Sequence, residues 1–512
     1  MTHNVIDYFE DGAAKRFPDR VAIVDQDRSY TFAELQLCAK RCATLLASRI
    51  DAINLPIAVF LPKCADAVIA NLGIIYSGNI YTNLDTKSPA QRVKNILDNI
   101  RPALIVTSRA LTDTLTALDV PESELCFIDD IHHGESAVDA EVIRTRLDRI
   151  VDTDPLCIIN TSGSTGTPKG VVLNHRGTID FMDWVFDTFG FDENIRIASL
   201  SPLYFDIYTL ELNLCLAKGA TLVLVPDQLS IFPVKLLEFL EAQAISFLFW
   251  VPSIMVTIAN LGLLQRHDLS ALTTIFFAGE VFPMKQLNQW RAAVPGALVV
   301  NLYGPIEIHV DCTYFVVDRE FKDDDVLPIG YPCRNTDILI LNDSNDACAP
   351  HERGELCVRG SSLALGYWND AQKTAQAFVQ NPLQKHYPEL IYRTGDIAYR
   401  DDRGEIYLVG RKDFQIKHLG YRIDLQEIEH QVHGIAGVGN ACVLYYAPRK
   451  EITLFYEAMS AEVTIQAIRG ELSKVFPKYM VPTVFRLMDA LPRNPNGKID
   501  RSGLASLLSE SK

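Results

Sequence analysis

The sequence lacks the features of a secreted or membrane-spanning protein. Residues 1–16 contain no basic segment followed by an apolar core, so a signal peptide is not expected. No run of about 18 uncharged apolar residues occurs, which argues against a membrane-spanning helix. The nearest approach, Leu203 to Ala217, is interrupted by Asp206 and Glu211. These absences favour a cytoplasmic protein with no membrane partner.

The eleven cysteines show neither a disulfide framework nor a metal-binding pattern. No Cys-x-x-Cys pair is present, and Cys38 and Cys42 are one helical turn apart, which is more typical of one helix face than of a metal site. An odd, unpatterned number of cysteines favours reduced thiols in a cytoplasm.

Excess positive charge is also missing. The formal net charge of −16 argues against a general nucleic-acid or anionic-membrane binder, although a local site for a small anion remains compatible with it. With 48% apolar and 22% charged residues, the 512-residue chain has an ordinary globular composition. Its length predicts two to four compact units.

The hydrophobic patterning divides the chain into regions of different texture. Between Asp154 and Val317, apolar strand-like runs such as Phe247–Val251 alternate with helical patterns, which predicts an α/β fold with parallel sheets covered by helices. The N-terminal third has a similar pattern, with a helix expected around Thr31–Ala47. Ligands are expected at the carboxyl ends of such strands. After Pro328, short alternating strands predict a small distorted β-barrel or a small sheet. We predict an N-terminal domain over 1–411 and a small α+β domain over 412–512.

The most informative segment is residues 161–170, Thr-Ser-Gly-Ser-Thr-Gly-Thr-Pro-Lys-Gly. Apolar runs flank it, which predicts two strands joined by a mobile loop. Glycines let backbone N–H groups approach an anion, hydroxyls add donors, and Lys169 adds a positive charge, so the loop suits a polyphosphate. The spacing differs from a P-loop because Pro168 precedes the lysine and no Ser or Thr follows it. A solvated linker of the same composition is the alternative.

Seven further segments complete a set of motifs in a fixed order: Tyr30–Leu35, Tyr76–Asp85, Tyr303–Glu307, Gly354–Tyr367, Tyr392–Asp396, Gly410–Lys417 and Asn496–Arg501. With the loop, they resemble the signatures of the adenylate-forming superfamily of acyl-CoA synthetases, luciferases and nonribosomal peptide adenylation domains. Two positions depart from that pattern. Asn83 replaces a proline, and Ile306 replaces the threonine of Tyr-Gly-Pro-Thr-Glu, whose hydroxyl usually contacts phosphate.

The resemblance implies attack of a carboxylate on the α-phosphorus of ATP with release of pyrophosphate, a reaction that depends on charge neutralisation and positioning. Tyr303 is expected to stack on adenine, and Asp396 to accept hydrogen bonds from the ribose. Magnesium is the expected metal, with Glu307 as its ligand. The ATP-binding residues implied by the resemblance are Thr161, Ser162, Gly163, Ser164, Thr165, Gly166, Lys169, Gly279, Glu280, Asn301, Tyr303, Gly304, Asp396 and Arg411.

Lys498 and Glu307 are the expected catalytic residues. In the family the lysine contacts the carboxylate and the α-phosphate, where a compact ammonium offsets developing charge. From local sequence alone, a surface lysine in a Pro-Asn-Gly turn is the alternative. Asp413 is the expected hinge, about which the mobile C-terminal domain would exchange the Lys498 face for the His418–Arg422 face between two half-reactions.

Asp206 indicates an amine-bearing substrate. In amino-acid-activating members an aspartate here pairs with the substrate's α-ammonium, because a buried carboxylate needs a cationic partner. An N-cap or turn aspartate is the alternative. Bulky residues in the pocket favour a small or compact apolar side chain, and Asp311 either pairs with a polar substrate group or is structural. The other substrate-binding residues implied by the resemblance are Ile207, Leu210, Phe249, Phe276, Ala278, Leu302, Val310 and Asp311.

The range 410–431 is particularly similar to D-alanine:carrier-protein ligases. Those ligases carry a cysteine at the position of Ala278, so D-alanine itself is not favoured, and prolyl- or β-amino-acid-activating ligases remain open. No carrier segment with a modifiable serine follows the Lys498 motif. We therefore expect a freestanding enzyme that loads an amino acid onto a separate phosphopantetheinylated carrier protein. An acyl- or aryl-CoA ligase and a non-catalytic nucleotide-binding relative are the alternatives.

Overall fold

The computed structural model describes residues 2–26, 28–132, 137–161, 168–460, 463–493 and 499–509. Contacts within the chain divide it into two compact units. The first unit comprises 1–86, 100–159 and 170–412, and the second comprises 87–99, 160–169 and 413–512. The C-terminal part of the second unit thus begins at Asp413, whereas the sequence placed a domain boundary one residue earlier.

The strands of the described residues are β1 Val21–Asp25, β2 Arg28–Thr31, β3 Pro56–Phe60, β4 Ile80–Asn83, β5 Leu104–Thr107, β6 Leu125–Phe127, β7 Pro155–Thr161, β8 Lys169–Asn174, β9 Arg196–Ser199, β10 Thr221–Leu224, β11 Phe247–Trp250, β12 Thr274–Phe277, β13 Leu298–Tyr303, β14 Thr313–Val316, β15 Tyr331–Pro332, β16 Thr336–Leu341, β17 Gly354–Gly360, β18 Gly366–Tyr367, β19 Phe378–Gln380, β20 Leu390–Arg400, β21 Ile406–Arg411, β22 Gln415–His418, β23 Tyr421–Asp424, β24 Val438–Tyr446, β25 Glu451–Ala458 and β26 Val484–Leu487.

The α-helices of the same residues are α1 Ala14–Arg16, α2 Phe32–Ala47, α3 Ala65–Tyr76, α4 Ala90–Ile100, α5 Thr112–Thr116, α6 Asp129–His132, α7 Ala140–Leu147, α8 His175–Phe189, α9 Ile207–Lys218, α10 Pro233–Ala242, α11 Pro252–Asn260, α12 Met284–Ala293, α13 Ala371–Ala377, α14 Leu425–His433, α15 Ile465–Val475 and α16 Arg501–Ser509. Across the described part of the chain, no helix has both the length and the apolar character needed to cross a membrane.

Two large sheets and one smaller sheet organise the first unit. The larger has the order β15-β14-β13-β12-β11-β9-β10-β1-β2, parallel from β13 to β1 and antiparallel at both ends. The next has the order β18-β8-β7-β4-β3-β5-β6. The smaller, antiparallel sheet joins β16, β17, β20, β19 and β21. The predicted α/β class, with parallel sheets and a separate antiparallel sheet, is confirmed.

The central parallel strands are apolar along their whole length because both faces of the sheet are covered. All four residues of β11 and of β12 are buried. Alternate side chains of β11 enter different hydrophobic clusters: Phe247 and Phe249 join one, and Leu248 and Trp250 join the other. Phe249 therefore packs in the hydrophobic cluster that also contains residues of α9.

The first motif of the sequence has a structural role in starting α2. The Glu34 N–H donates to Thr31 Oγ1 at 3.2 Å, and the Thr31 N–H donates to Glu34 Oε2 at 2.8 Å. This reciprocal capping box satisfies two N–H groups at the helix start. Losing such a cap typically costs about 1 kcal/mol.

The second unit contains the β22–β23 hairpin and a three-stranded sheet of β24, β25 and β26. Its α14 begins at the N-cap Asp424, whose side chain accepts a hydrogen bond from the Gln426 N–H. Glu429 on α14 accepts hydrogen bonds from Arg501 at 2.5 and 2.6 Å, and the Arg501 guanidinium lies 4.1 Å from the centre of the Phe414 ring. These contacts join the start of α16 to α14 and to the residue after Asp413.

Candidate active site

The candidate site of the first unit starts at the carboxyl end of β13, where open α/β sheets bind ligands. The strand ends at Tyr303, and Gly304 begins the turn toward Glu307. A Cβ atom at Gly304 would lie 2.5 Å from the Cα atom of Asp311. Only glycine lets the turn pack this closely against the returning chain.

Two predicted ATP-binding residues, Tyr303 and Arg411, donate hydrogen bonds to a third, Asp396. The Tyr303 hydroxyl donates to Asp396 Oδ2 at 2.5 Å, and Arg411 donates to Asp396 Oδ1 at 2.6 Å. Arg411 also donates to the carbonyl oxygen of Thr394 at 3.0 Å. Burial, reinforced by the Asp396 charge, raises the pKa of Tyr303 well above 10, so its hydroxyl stays protonated. The carboxylate of Asp396 is thereby fixed in orientation.

Glu307 is fully buried beside the same turn. The Tyr367 hydroxyl donates to Glu307 Oε1 at 2.8 Å, and the Ala364 N–H donates to the Glu307 carbonyl oxygen at 2.9 Å. Glu307 supplies one carboxylate, and this donor fits magnesium, which commonly takes one or two protein carboxylates and completes its shell with water and phosphate oxygens.

His309 is a buried contact residue that the sequence motifs did not reveal. Its Nδ1 lies 2.7 Å from the Ser362 carbonyl oxygen, and its Nε2 lies 3.1 Å from the Asn174 carbonyl oxygen. Burial lowers its pKa, which favours a neutral imidazole. A Cβ atom at Gly177 would lie 2.2 Å from the His309 ring, so α8 needs a glycine where the ring packs. His309 therefore links the start of α8 to the Glu307 turn.

The predicted substrate residues of the first unit lie at the start of α9, on β11, β12 and β13, and in the segments that follow β12 and β13. Asp206 is half-buried and caps the helix, with its Oδ1 accepting from the Ile207 N–H at 3.0 Å. The Phe249 and Phe276 rings are fully buried with centroids 6.0 Å apart. Asp311 is also buried, at 2% exposure. One hydrophobic cluster contains the apolar members, namely Ile207, Leu210, Phe249, Phe276, Ala278, Leu302 and Val310.

The other predicted ATP residues of the first unit make local contacts. The Asn301 side-chain amide donates to the Pro328 carbonyl oxygen at 2.8 Å. Glu280 accepts a hydrogen bond at 3.0 Å from the Ser253 N–H in the first turn of α11. Gly279 has a φ angle of +89°, which favours glycine.

Three described residues of the predicted site belong to the second unit. Thr161 ends β7, Lys169 begins β8, and Asp413 accepts a hydrogen bond from the Gln415 N–H at 3.1 Å, all within the second unit. The expected catalytic lysine and five loop residues fall outside the described residues: Ser162, Gly163, Ser164, Thr165, Gly166 and Lys498. Their roles stay predictions.

A buried carboxyl group on α9 was seen in the sequence only as a charge that interrupts an apolar run. Glu211 is fully buried, and the Ser199 hydroxyl donates to its Oε2 at 2.6 Å. Burial raises its pKa to about 8, against smaller lowering effects of the Ser199 hydrogen bond and the Lys63 charge. The sequence did contain a signal for this group, because a glutamate within an apolar helix is buried with the helix and then needs a partner.

Comparison with known proteins supports the resemblance to adenylate-forming enzymes. The AMP-binding enzyme family model matches residues 10–368. The D-alanine–D-alanyl carrier protein ligase of Lacticaseibacillus casei (strain BL23) is 30% identical over 518 residues, covering 98% of this chain and 99% of the ligase. Tyrocidine synthase 3 of Brevibacillus parabrevis is 30% identical over 491 residues, so this chain spans 7% of that protein's length.

Among solved structures, holo-PA1221, an NRPS protein containing adenylation and PCP domains, matches with a TM-score of 0.83 and 25% identity. The match covers 99% of this chain and 84% of that one. Together with the family match and the arrangement around Asp396 and Glu307, these similarities establish that the chain belongs to the AMP-binding enzyme family and is an adenylate-forming ligase.

Proposed function

We propose that the enzyme activates an amino acid as aminoacyl-AMP and transfers it to the phosphopantetheine thiol of a separate carrier protein. The observation that carries the amino-acid assignment is Asp206. Its carboxylate stands at the start of α9, and the residue after it enters the hydrophobic cluster that contains the other apolar substrate candidates. An amino acid offers matching chemistry, with an ammonium for Asp206 and an apolar side chain for the cluster.

Nucleotide binding is assigned to Asp396 and its neighbours. Each Asp396 oxygen accepts one hydrogen bond in the structure and keeps a further lone pair for a ribose hydroxyl. The Tyr303 and Arg411 hydrogen bonds already fix the Asp396 carboxylate, so binding of ATP costs little additional side-chain entropy at this residue. The loop over 161–170, with Lys169, is assigned to the outer phosphates.

In the first half-reaction the substrate carboxylate attacks the α-phosphorus. A new P–O bond forms while the bond to the β-phosphate bridging oxygen breaks and pyrophosphate leaves. Lys498 is proposed to offset the charge on the reacting oxygens. When magnesium is bound, it neutralises phosphate charge, and Glu307 is the carboxylate that would hold it. Tyr367 keeps the Glu307 side chain in place for that role.

In the second half-reaction the carrier thiolate attacks the acyl carbonyl carbon. The thioester C–S bond forms, and the bond to the AMP oxygen breaks. Asp413 is proposed as the hinge that separates the two steps. The carrier assignment is supported by likeness to a D-alanine–D-alanyl carrier protein ligase and to an NRPS protein whose structure includes a PCP domain.

ATP–pyrophosphate exchange across a panel of carboxylic acids tests the proposal. The panel should contain small apolar L-, D- and β-amino acids, proline, fatty acids and aryl acids. We expect exchange with at least one compact apolar amino acid, followed by loading of that amino acid onto a phosphopantetheinylated carrier. Exchange with fatty or aryl acids alone, with acyl transfer to coenzyme A, would instead identify a CoA ligase. Nucleotide binding without exchange for any acid would identify a non-catalytic relative.

A further inference from the structure

The segment that leads into Asp206 is fixed at two backbone carbonyls by side chains from the other large sheet. Lys63 Nζ donates to the Leu200 carbonyl oxygen at 2.8 Å. Asn83 Nδ2 donates to the Leu203 carbonyl oxygen at 2.9 Å. Lys63 follows β3 and Asn83 ends β4, which are neighbouring parallel strands. Side chains at the carboxyl edge of the seven-stranded sheet therefore hold the segment between β9 and Asp206 at its first residue and near its middle.

The Asn83 side chain makes a single hydrogen bond among the described residues, the one to Leu203. It is 9% exposed, and its Oδ1 has no hydrogen-bond partner among the described residues. The amide is therefore oriented by its bond to Leu203. The adenylate-forming superfamily pattern has a proline at this position. Proline has no side-chain donor and would leave the Leu203 carbonyl without this bond. The contact is thus a property of this chain's departure from the pattern.

A short, hydrogen-bonded path connects Leu203 to Asp206. The Phe205 N–H donates to the Pro202 carbonyl oxygen at 3.1 Å, and the Thr209 N–H donates to the Asp206 carbonyl oxygen at 2.8 Å. The chain thus passes from one tight turn directly into α9, with Leu203 inside the turn. A shift of the Leu203 backbone would therefore move the Asp206 carboxylate, which lies three residues further along the chain.

We propose that Asn83 is a positioning residue for the amine group of the substrate, acting through Leu203 on Asp206. This inference rests on the proposed function, because it takes Asp206 as the partner of the substrate ammonium. The Asn83 side chain hydrogen-bonds to the Leu203 carbonyl and to none of the described nucleotide-binding residues. Its removal weakens binding of the amino acid and leaves binding of ATP unchanged.

The test compares Asn83→Leu and Asn83→Ala with the parent enzyme in ATP–pyrophosphate exchange. Leucine keeps a similar size and removes the N–H donor, and alanine removes the side chain. We expect the KM for the amino acid to rise about five- to tenfold, the range for loss of one buried hydrogen bond, while the KM for ATP stays within about twofold.

Asn79 provides a matched control just before the opposite end of β4. It is 4% exposed, its Oδ1 accepts from the Leu55 N–H at 3.1 Å, and its Nδ2 donates to the Ser77 carbonyl oxygen at 3.2 Å. Asn79→Ala should lower the unfolding temperature without changing the KM for the amino acid. A structural role alone for Asn83 predicts the same result for both positions.

Three outcomes separate this inference from the proposed function. If Asp206→Asn raises the KM for the amino acid and the Asn83 variants do not, the inference is wrong and the proposed function stands. If the Asn83 variants raise the two KM values equally, Asn83 is not specific to the amino-acid side and the inference is again wrong. If neither Asp206→Asn nor the Asn83 variants change the KM for the acid, both fail.

Discussion

Replacing Glu211 with glutamine should change how the stability of the enzyme depends on pH. The Glu211 carboxyl is fully buried on α9, and burial raises its pKa from 4.5 to about 8. The folded protein therefore holds a proton at this site between pH 4.5 and pH 8, where the unfolded chain has released it. Stability from this group is complete below about pH 4.5 and is lost progressively as the pH rises to about 8.

The size of the effect follows from the width of that window. Each pH unit in which only the folded state is protonated changes the free energy of unfolding by about 1.4 kcal/mol. Between pH 6 and pH 8 the parent protein should therefore lose about 2–3 kcal/mol from this site. Glutamine cannot ionise and still accepts the Ser199 hydroxyl through its amide oxygen. Glu211→Gln should remove this part of the pH dependence.

The measurement is the urea unfolding free energy, or the temperature of the first unfolding transition, at pH 6, 7 and 8 for both proteins. Glu405→Gln is the matched control, because Arg319 binds Glu405 at 2.6 and 2.7 Å and lowers its pKa. That control should lose stability without changing the slope between pH 6 and pH 8. Parallel pH profiles for the parent and Glu211→Gln would refute the reasoning about Glu211.

Two further substitutions probe the nucleotide side of the site. Tyr303→Phe removes the hydroxyl that donates to Asp396 and should raise the KM for ATP about tenfold, as expected for a hydrogen bond to a charged group worth about 1.5 kcal/mol. An unchanged KM for ATP in pyrophosphate exchange would contradict it. Gly177→Ala forces a Cβ atom against the His309 ring and should lower both unfolding temperature and exchange rate. Gly296→Ala, with open space around the new Cβ atom, should change neither.

Local patterns predicted the elements of the large sheets well, because their strands are buried on both faces. The run Phe247–Val251 was predicted as a strand, and β11 occupies Phe247–Trp250. The helix expected around Thr31–Ala47 is α2, which begins after its Thr31 cap. Periodicity and capping are properties of neighbouring residues, so a sequence reveals them directly.

Local patterns did not predict the long-range contacts of the site. Tyr303 and Asp396 were each predicted as ATP-binding residues, but their mutual hydrogen bond joins positions 93 residues apart. His309 and Lys63 belong to none of the motifs, and each contacts backbone carbonyls of distant segments. Tyr367 ends the motif Gly354–Tyr367, and the sequence assigned it no role, although a buried tyrosine hydroxyl usually needs a polar partner. The placement of α4 with the C-terminal segment also depends on tertiary packing rather than local pattern.

Asp206→Asn in ATP–pyrophosphate exchange tests the central claim most directly. Asparagine caps a helix about as well as aspartate, so the start of α9 should be preserved while the negative charge is removed. We predict that the KM for the activated amino acid rises at least about tenfold, because its ammonium loses its charged partner, and that the KM for ATP is unchanged. An Asp206→Asn enzyme that activates its acid as well as the parent would contradict amino-acid activation by this enzyme.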